Sequence, residues 1–167
     1  MKKTWLNLMV ALSLAVVPGG AIAGGTAKVG QPAPSFSLTT YDKRKINLAD
    51  LRGKVVVINW WATWCGPCKA EMPMMSAFHH LHKAEGFEIF GVTTEDSLQP
   101  YQLKRVSEVL SYPLVLRFSG NAYPTLDAVP TSYVIDRKGI VRYAKAGAFN
   151  EQEFDQLILP LLHEPAS

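Results

Sequence analysis

The 167-residue sequence contains two cysteines, Cys65 and Cys68, separated only by Gly66 and Pro67. Thiols at that spacing can exchange disulfides, stay as two buried free cysteines, brace the chain as one structural bridge, or supply half of a zinc site. A structural zinc site takes four protein ligands, and there is no second cysteine pair to complete one. His79, His80 and His82 could be enlisted, but they fall at helical spacing beside Lys83 and read as a solvated face. Met72, Met74 and Met75 could suggest a copper cluster. On a helix, however, the adjacent Met74 and Met75 point in different directions, so core packing is the better reading. One bridge adds little as a scaffold to a domain of this size, so active chemistry is the better use of the pair. In a dithiol/disulfide switch, Cys65 is the exposed sulfur that attacks a partner disulfide and forms a mixed disulfide. Cys68 then attacks Cys65 and releases the reduced partner.

That chemistry needs a thiolate, and the flanking residues predict elements that stabilise one. An unbroken apolar run at 55–60 leads into the pair, and a helix-like segment at 69–84 leads out. At such a strand-to-helix junction, unpaired backbone N–H groups and the helix dipole favour an anion. Cys65 at the mouth of the helix should therefore titrate below the free-thiol value of about 8.5. Cys68 lies one turn further in, and Pro67 suits a first turn, where its missing N–H costs nothing. The apolar run indicates burial on both faces, as in a parallel sheet covered by helices.

The remaining elements follow from local pattern. Alternating stretches at 36–38 and 45–48 around the turn 41–44 predict a hairpin, and 48–53 a short turn or helix closed by Gly53. Pro73 should kink the helix after the cysteines. A strand is predicted at 87–93, and a helix over 96–110 with Asp96 or Ser97 as cap and its start delayed by Pro100. A short strand at 112–116 should give way to a loop over 117–129. A second hairpin pairs 132–135 with 140–143 around 136–139, and a closing helix spans 151–162 behind Asn150. Together these predict one α/β domain, a central mixed sheet flanked by helices on both faces.

The first 23 residues read as a signal peptide, with the domain at 24–167. Lys2 and Lys3 precede an apolar run at 6–17, and Ala21-Ile22-Ala23 is a small-x-small cleavage signal. The run is shorter than the roughly 20 residues a membrane span needs. An uncleaved anchor is the alternative. No cysteine stands near the cleavage site, so lipid attachment there is unsupported. The formal charge of +3 falls by two when Lys2 and Lys3 leave. No basic stripe points to nucleic acid.

Trp64-Cys65-Gly66-Pro67-Cys68 resembles the thioredoxin active-site motif. The flanks at 30–38, 47–54, 61–73 and 129–136 resemble one extracytoplasmic branch, the TlpA/ResA-like thiol–disulfide reductases, and the similarity runs from about 30 to 162. It implies a thioredoxin-like fold with an N-terminal β-hairpin extension. It implies Cys65 and Cys68 as the redox-active pair, with Glu71, three residues on, as acid–base group for the second cysteine. Trp64, Gly66, Pro67, Val129 and Pro130 would contact substrate. Pro130 matches the proline whose preceding bond is cis and which lies across from the redox helix, leaving the Val129 backbone to pair with an extended partner chain. Two positions depart from the pattern. Asn59 stands where cytoplasmic thioredoxins usually carry a buried aspartate, so Glu71 or water must supply any proton transfer. Ala128 stands where a glycine is common.

The activity implied is reduction of disulfides in partner proteins, of the cytochrome c maturation or copper-site assembly type. A membrane protein would supply the electrons to a periplasmic monomer with no cofactor beyond the cysteines and no metal. The same fold run as a disulfide-donating oxidase, and a non-enzymatic metal or assembly chaperone using the pair as ligands, are the rival readings. A peroxidase is disfavoured, because Ala62 stands where peroxiredoxin-like sites place a threonine.

Overall fold

The apolar run before the cysteines forms the central strand β3 (Val55–Trp61) in the computed structural model, which describes residues 25–94 and 98–165. The proposed signal segment and the expected Asp96 or Ser97 cap lie outside the described residues. Ahead of β3 come the hairpin strands β1 (Ser37–Thr40) and β2 (Lys45–Asn47) and a 3-10 turn at Leu48–Leu51. After it follow α1 (Gly66–His82), β4 (Phe87–Thr93), α2 (Pro100–Val109), β5 (Leu114–Ser119), β6 (Thr131–Ile135), β7 (Val141–Ala146) and α3 (Glu151–His163). The seven strands form one mixed sheet in the order β2-β1-β5-β4-β3-β6-β7. β3 runs parallel to β4, from Val55 opposite Phe87 to Trp61 opposite Thr93, and antiparallel to β6, from Val56 opposite Ile135 to Trp60 opposite Thr131.

The strand period of two sorts β3 between two cores. Val55, Val57 and Trp61 pack with Met72, Met75 and Phe78 of α1, Leu103 of α2, and Phe154 and Ile158 of α3. Val56 and Ile58 pack instead with Phe36, Leu38, Leu51, Phe90, Tyr123 and Tyr133. Burial of both faces is what the unbroken apolar run requires, but the expected helices on both faces are corrected. α1, α2 and α3 all pack in the first core, and the second is covered by Phe36, Leu51 and Tyr123 from the hairpin lead-in, the 3-10 turn and the loop after β5. β3 therefore ends at a fixed place, and α1, anchored on the first core, starts at a fixed place five residues later.

Several bounds differ from the sequence expectation. α1 begins at Gly66 and runs through Pro73 to His82. α2 starts at Pro100, a proline in the first turn, with Gln99 as its cap residue. β5 continues to Ser119, three residues into the expected loop. β1 supplies the partners, pairing Ser37 with Ser119, Leu38 with Phe118 and Thr39 with Arg117. The hairpin is thus an extension of the sheet beyond β5.

His79 is not on a solvated face. It is 4% exposed, because it follows Met72 by seven residues and Met75 by four and so shares their buried stripe. Its Nδ1 lies 3.2 Å from Ser111 Oγ, and its Nε2 faces Glu88 Oε2 at 3.9 Å. His80 is exposed, while His82 is half-buried, with its Nδ1 2.9 Å from Glu85 Oε1. The His79 ring and the Lys54 ammonium, 2.6 Å from Oε1, hold the Glu88 carboxyl down to about 2 against the cost of burial. A folded-state value below the unfolded one stabilises the fold above the unfolded value, and that contribution is lost as pH falls toward about 2. Glu88→Gln should therefore flatten the fall of stability with acid between pH 4.5 and about 2. Denaturant unfolding across that range measures it.

Gly91 on β4 lies beside the active-site strand, in register with Asn59 of β3. A Cβ there would lie 2.6 Å from Leu114 Cδ2 and 3.3 Å from both Trp61 Nε1 and Tyr112 Cε2. Because Leu114 and Tyr112 are themselves buried, they have little room to yield. Gly91→Ala should cost about 1–3 kcal/mol, as overpacking does. Thermal unfolding would show the lowered midpoint.

Candidate active site

The loop from Ala62 to Cys65 joins the end of β3 to the start of α1. It is held on both sides: Cys65 N–H donates to Ala62 O at 3.1 Å, and Thr94 N–H, just past β4, donates to Trp61 O at 3.0 Å. Cys65 is the N-cap of α1, and its Sγ accepts the Cys68 N–H at 3.1 Å. The sulfur therefore occupies the position where the helix offers unpaired N–H groups to an anion. Pro67, in the first turn, surrenders no hydrogen bond.

Cys65 and Cys68 are joined as a disulfide with Cα atoms 5.3 Å apart. The two sulfurs differ in access. Cys65 is 4% exposed and Cys68 is 0%. The expectation of an openly exposed attacking sulfur is corrected in degree, since the helix mouth and the loop opposite cover most of it. Around it, Trp64 is 61% exposed, and Gly66 and Pro67 are also on the surface. The Val129–Pro130 bond is cis, and Val129 O lies 3.6 Å from Cys65 Sγ. Pro130 O accepts Gly147 N–H at 2.8 Å, which ties this loop to the end of β7. Thr131 braces it from within, its Oγ1 donating to Ala128 O at 2.6 Å and accepting Leu126 N–H at 3.0 Å.

Glu71 is three residues beyond Cys68 on α1, the next position on the same helical face. It is 3% exposed. Its Oε1 accepts Asn59 Nδ2–H at 2.9 Å, and its Oε2 accepts the backbone N–H of Phe149 at 2.8 Å. Burial pushes its carboxyl above the ordinary glutamate value, and the two donors offset only part of that rise. Asn59 is fully buried and also donates to Ser132 Oγ at 3.0 Å, from the β6 residue directly opposite it in register. Sequence singled out Asn59 and Glu71 separately, and the fold joins them. Ser132 and Phe149 were not foreseen. A backbone N–H carries no sequence signal, and Ser132 becomes visible only once the register of β3 on β6 is known. Ala62 is fully buried and offers no hydroxyl to the pair.

A dithiol pair capping a helix at the end of a central strand, with a cis-proline loop against the outer sulfur, is the architecture of the thioredoxin-like thiol–disulfide oxidoreductases. The chain belongs to the AhpC/TSA family, which matches residues 29–144. It is similar to the thioredoxin-like protein YneN of Bacillus subtilis (strain 168), 34% identical over 131 residues and covering 76% of each chain. It is similar also to the thiol–disulfide oxidoreductase ResA of the same organism, 30% identical over 165 residues, covering 95% of this chain and 92% of that one. Among solved structures, the thioredoxin-family thiol:disulfide interchange protein of Chlorobium tepidum TLS superposes with a TM-score of 0.68 at 30% identity. That match covers 85% of this chain and 99% of the other. The chain is a thiol–disulfide oxidoreductase of the ResA type, with Cys65 and Cys68 at bonding distance. Among the described residues no helix is long and apolar enough to cross a membrane.

Proposed function

We propose that this oxidoreductase works as an extracytoplasmic reductase of disulfides in partner proteins. The observation that carries the direction is Glu71, a buried carboxyl one helical turn from the fully buried Cys68. The nearby carboxylate disfavours a thiolate at Cys68, while the helix mouth favours one at Cys65. A less stable Cys68 thiolate makes the disulfide the better-favoured state, so the reduced protein gives up its electrons readily. The roles follow from access. The Cys65 thiolate attacks a partner disulfide and displaces one partner sulfur. The Cys68 thiol passes its proton to Glu71, and its sulfur attacks Cys65. The Cys65–Cys68 bond forms, the bond to the partner breaks, and the second partner sulfur leaves as a thiolate. Two electrons have then passed from the pair to the partner.

In this reading the Val129 carbonyl and Pro130 dock an extended partner segment over Cys65, with Trp64, Gly66 and Pro67 as the rim. The signal-like segment at 1–23 would place the domain outside the cytoplasm, where a membrane electron donor recharges it as a monomer. Partners of the apocytochrome c or copper-site type fit this setting. The equilibrium potential against glutathione or dithiothreitol tests the direction. It should lie nearer the thioredoxin value of about −270 mV than the strongly oxidising −120 mV or so of a disulfide donor. A value at the oxidising end would assign the chain to disulfide donation instead.

A further inference from the structure

The hydrogen bonds the structure shows around Glu71 are those of a carboxylate, one donor to each oxygen. Asn59 Nδ2 spends its two protons on Glu71 Oε1 at 2.9 Å and Ser132 Oγ at 3.0 Å, while Asn59 Oδ1 is buried without a hydrogen-bond partner among the described residues. Glu71 Oε2 faces the Phe149 N–H at 2.8 Å. Both carboxyl oxygens thus meet donors, which is correct for a carboxylate, an acceptor only. With its proton on Oε1 toward Asn59, a protonated Glu71 would point its O–H at an amide N–H that cannot accept it.

We infer that Asn59 is a positioning residue whose side-chain amide turns over when Glu71 gains or loses its proton, so that the same buried pair serves both states. Half a turn about Cβ–Cγ puts Oδ1 where Nδ2 stood. Oδ1 then accepts the Glu71 O–H. The Ser132 hydroxyl, able to donate as well as accept, turns its proton to the same oxygen. The turnover exchanges one unpartnered amide atom for the other, whereas a fixed amide would set two donors head to head. This gives a use to the non-titrating residue at 59. An aspartate there would put a second carboxyl against Glu71, and the two would titrate as a coupled pair sharing one proton. Asparagine leaves Glu71 alone to take the proton of Cys68, the role on which this inference rests.

The titratable groups facing Glu71 are few. Cys68 lies on its own helix. Tyr112, between α2 and β5, and Tyr143 on β7 are raised first by burial and further by neighbouring carboxylates, Glu71 among them. Glu153, at the start of α3, is the other carboxylate felt by Tyr143 and binds the Asn150 N–H. Asn59 on β3 and Ser132 on β6 carry no charge. Among the described residues no Lys, Arg or His forms an ion pair with Glu71.

The test is a side-chain NMR titration of the reduced, isotope-labelled full chain without substrate. The Asn59 Nδ2 signal should move with the same midpoint as Glu71 Cδ. Proximity signals between the Nδ2 protons and Ser132 Hβ should be present above that midpoint and lost below it. In Glu71→Gln the Asn59 signal should cease to titrate, because the glutamine amide holds Oδ1 at every pH. In Asn59→Asp the single midpoint should split into two, separated by about one pH unit or more. The inference is overturned if the Nδ2–Ser132 proximity persists on both sides of Glu71's midpoint, or if Asn59 moves at a different one. The wild-type titration decides the matter should a variant fail to fold. The reductase reading fails separately, when the wild-type chain leaves a protein disulfide intact whatever Asn59 does.

Discussion

Cys68→Ser is expected to accumulate covalent adducts through Cys65, while Cys65→Ser should form none and lose turnover by about 10³-fold or more. The asymmetry follows from access and capping. Cys68 is 0% exposed and Cys65 is 4%, so an incoming disulfide meets Cys65 first. Cys65 is also the sulfur that receives a helix N–H, from Cys68 at 3.1 Å, and that bond strengthens when the acceptor is a thiolate. Once Cys65 has displaced one partner sulfur, only a second thiol can finish the reaction, and Cys68 is that thiol. Serine at 68 preserves the shape of the turn but cannot attack, so the mixed disulfide stays until a thiol from solution cleaves it. Non-reducing electrophoresis with insulin as disulfide partner should show the adduct in Cys68→Ser, and reductant should dissolve it. Adducts appearing instead in Cys65→Ser would reverse the assignment of attacking and resolving sulfur.

The parts of this site that were legible beforehand are those fixed by neighbours in the chain. β3 announces itself by an apolar run, α1 by the proline in its first turn, and α3 by Asn150, which accepts the Glu153 N–H at 2.9 Å. Each needs only a few adjacent residues to be stable in outline. β5 is different. Its last residues pair with β1 from near the start of the chain, and Arg117 and Ser119 carry no local strand signal, so the expected loop was wrong there. His79 could have been found, since counting back along α1 from it reaches Met75 and Met72 on one stripe. The polar cluster under the disulfide could not. It depends on the β3–β6 register, which sets Ser132 opposite Asn59, and on a backbone N–H at Phe149 delivered by the turn between β7 and α3. Asn59 read alone is a lost titrating group. Read with Ser132 and Glu71, it is the donor that orients one.

Glu71→Gln should make the protein slower and, at neutral pH, relatively more stable. Burial raises the carboxyl in the folded state, with the Phe149 N–H and the Asn59 amide opposing part of the rise. A carboxyl raised on folding binds its proton more tightly in the folded chain than in the unfolded one. Stability from this group is therefore full below the unfolded value of about 4.5 and declines as pH rises from there through the raised folded value. Glutamine has no proton to lose, so the stability of Glu71→Gln relative to wild type should climb across that window and level off above it. Urea unfolding at several pH values measures the climb, and parallel curves for the two proteins would remove the premise that Glu71 is costly to ionise. The kinetic consequence has the opposite sign. Resolution by Cys68 needs its proton taken, and the wild-type rate should rise with pH as Glu71 becomes a carboxylate. The variant should lose that limb and be slower near neutrality by about 10²-fold, the lower end of what a positioned base contributes. A variant that kept the wild-type pH profile would hand the proton to water and leave Glu71 a structural residue. Loss of the limb together with the stability gain would mean that the fold tolerates an unfavourable buried ionisation because the exchange reaction uses it.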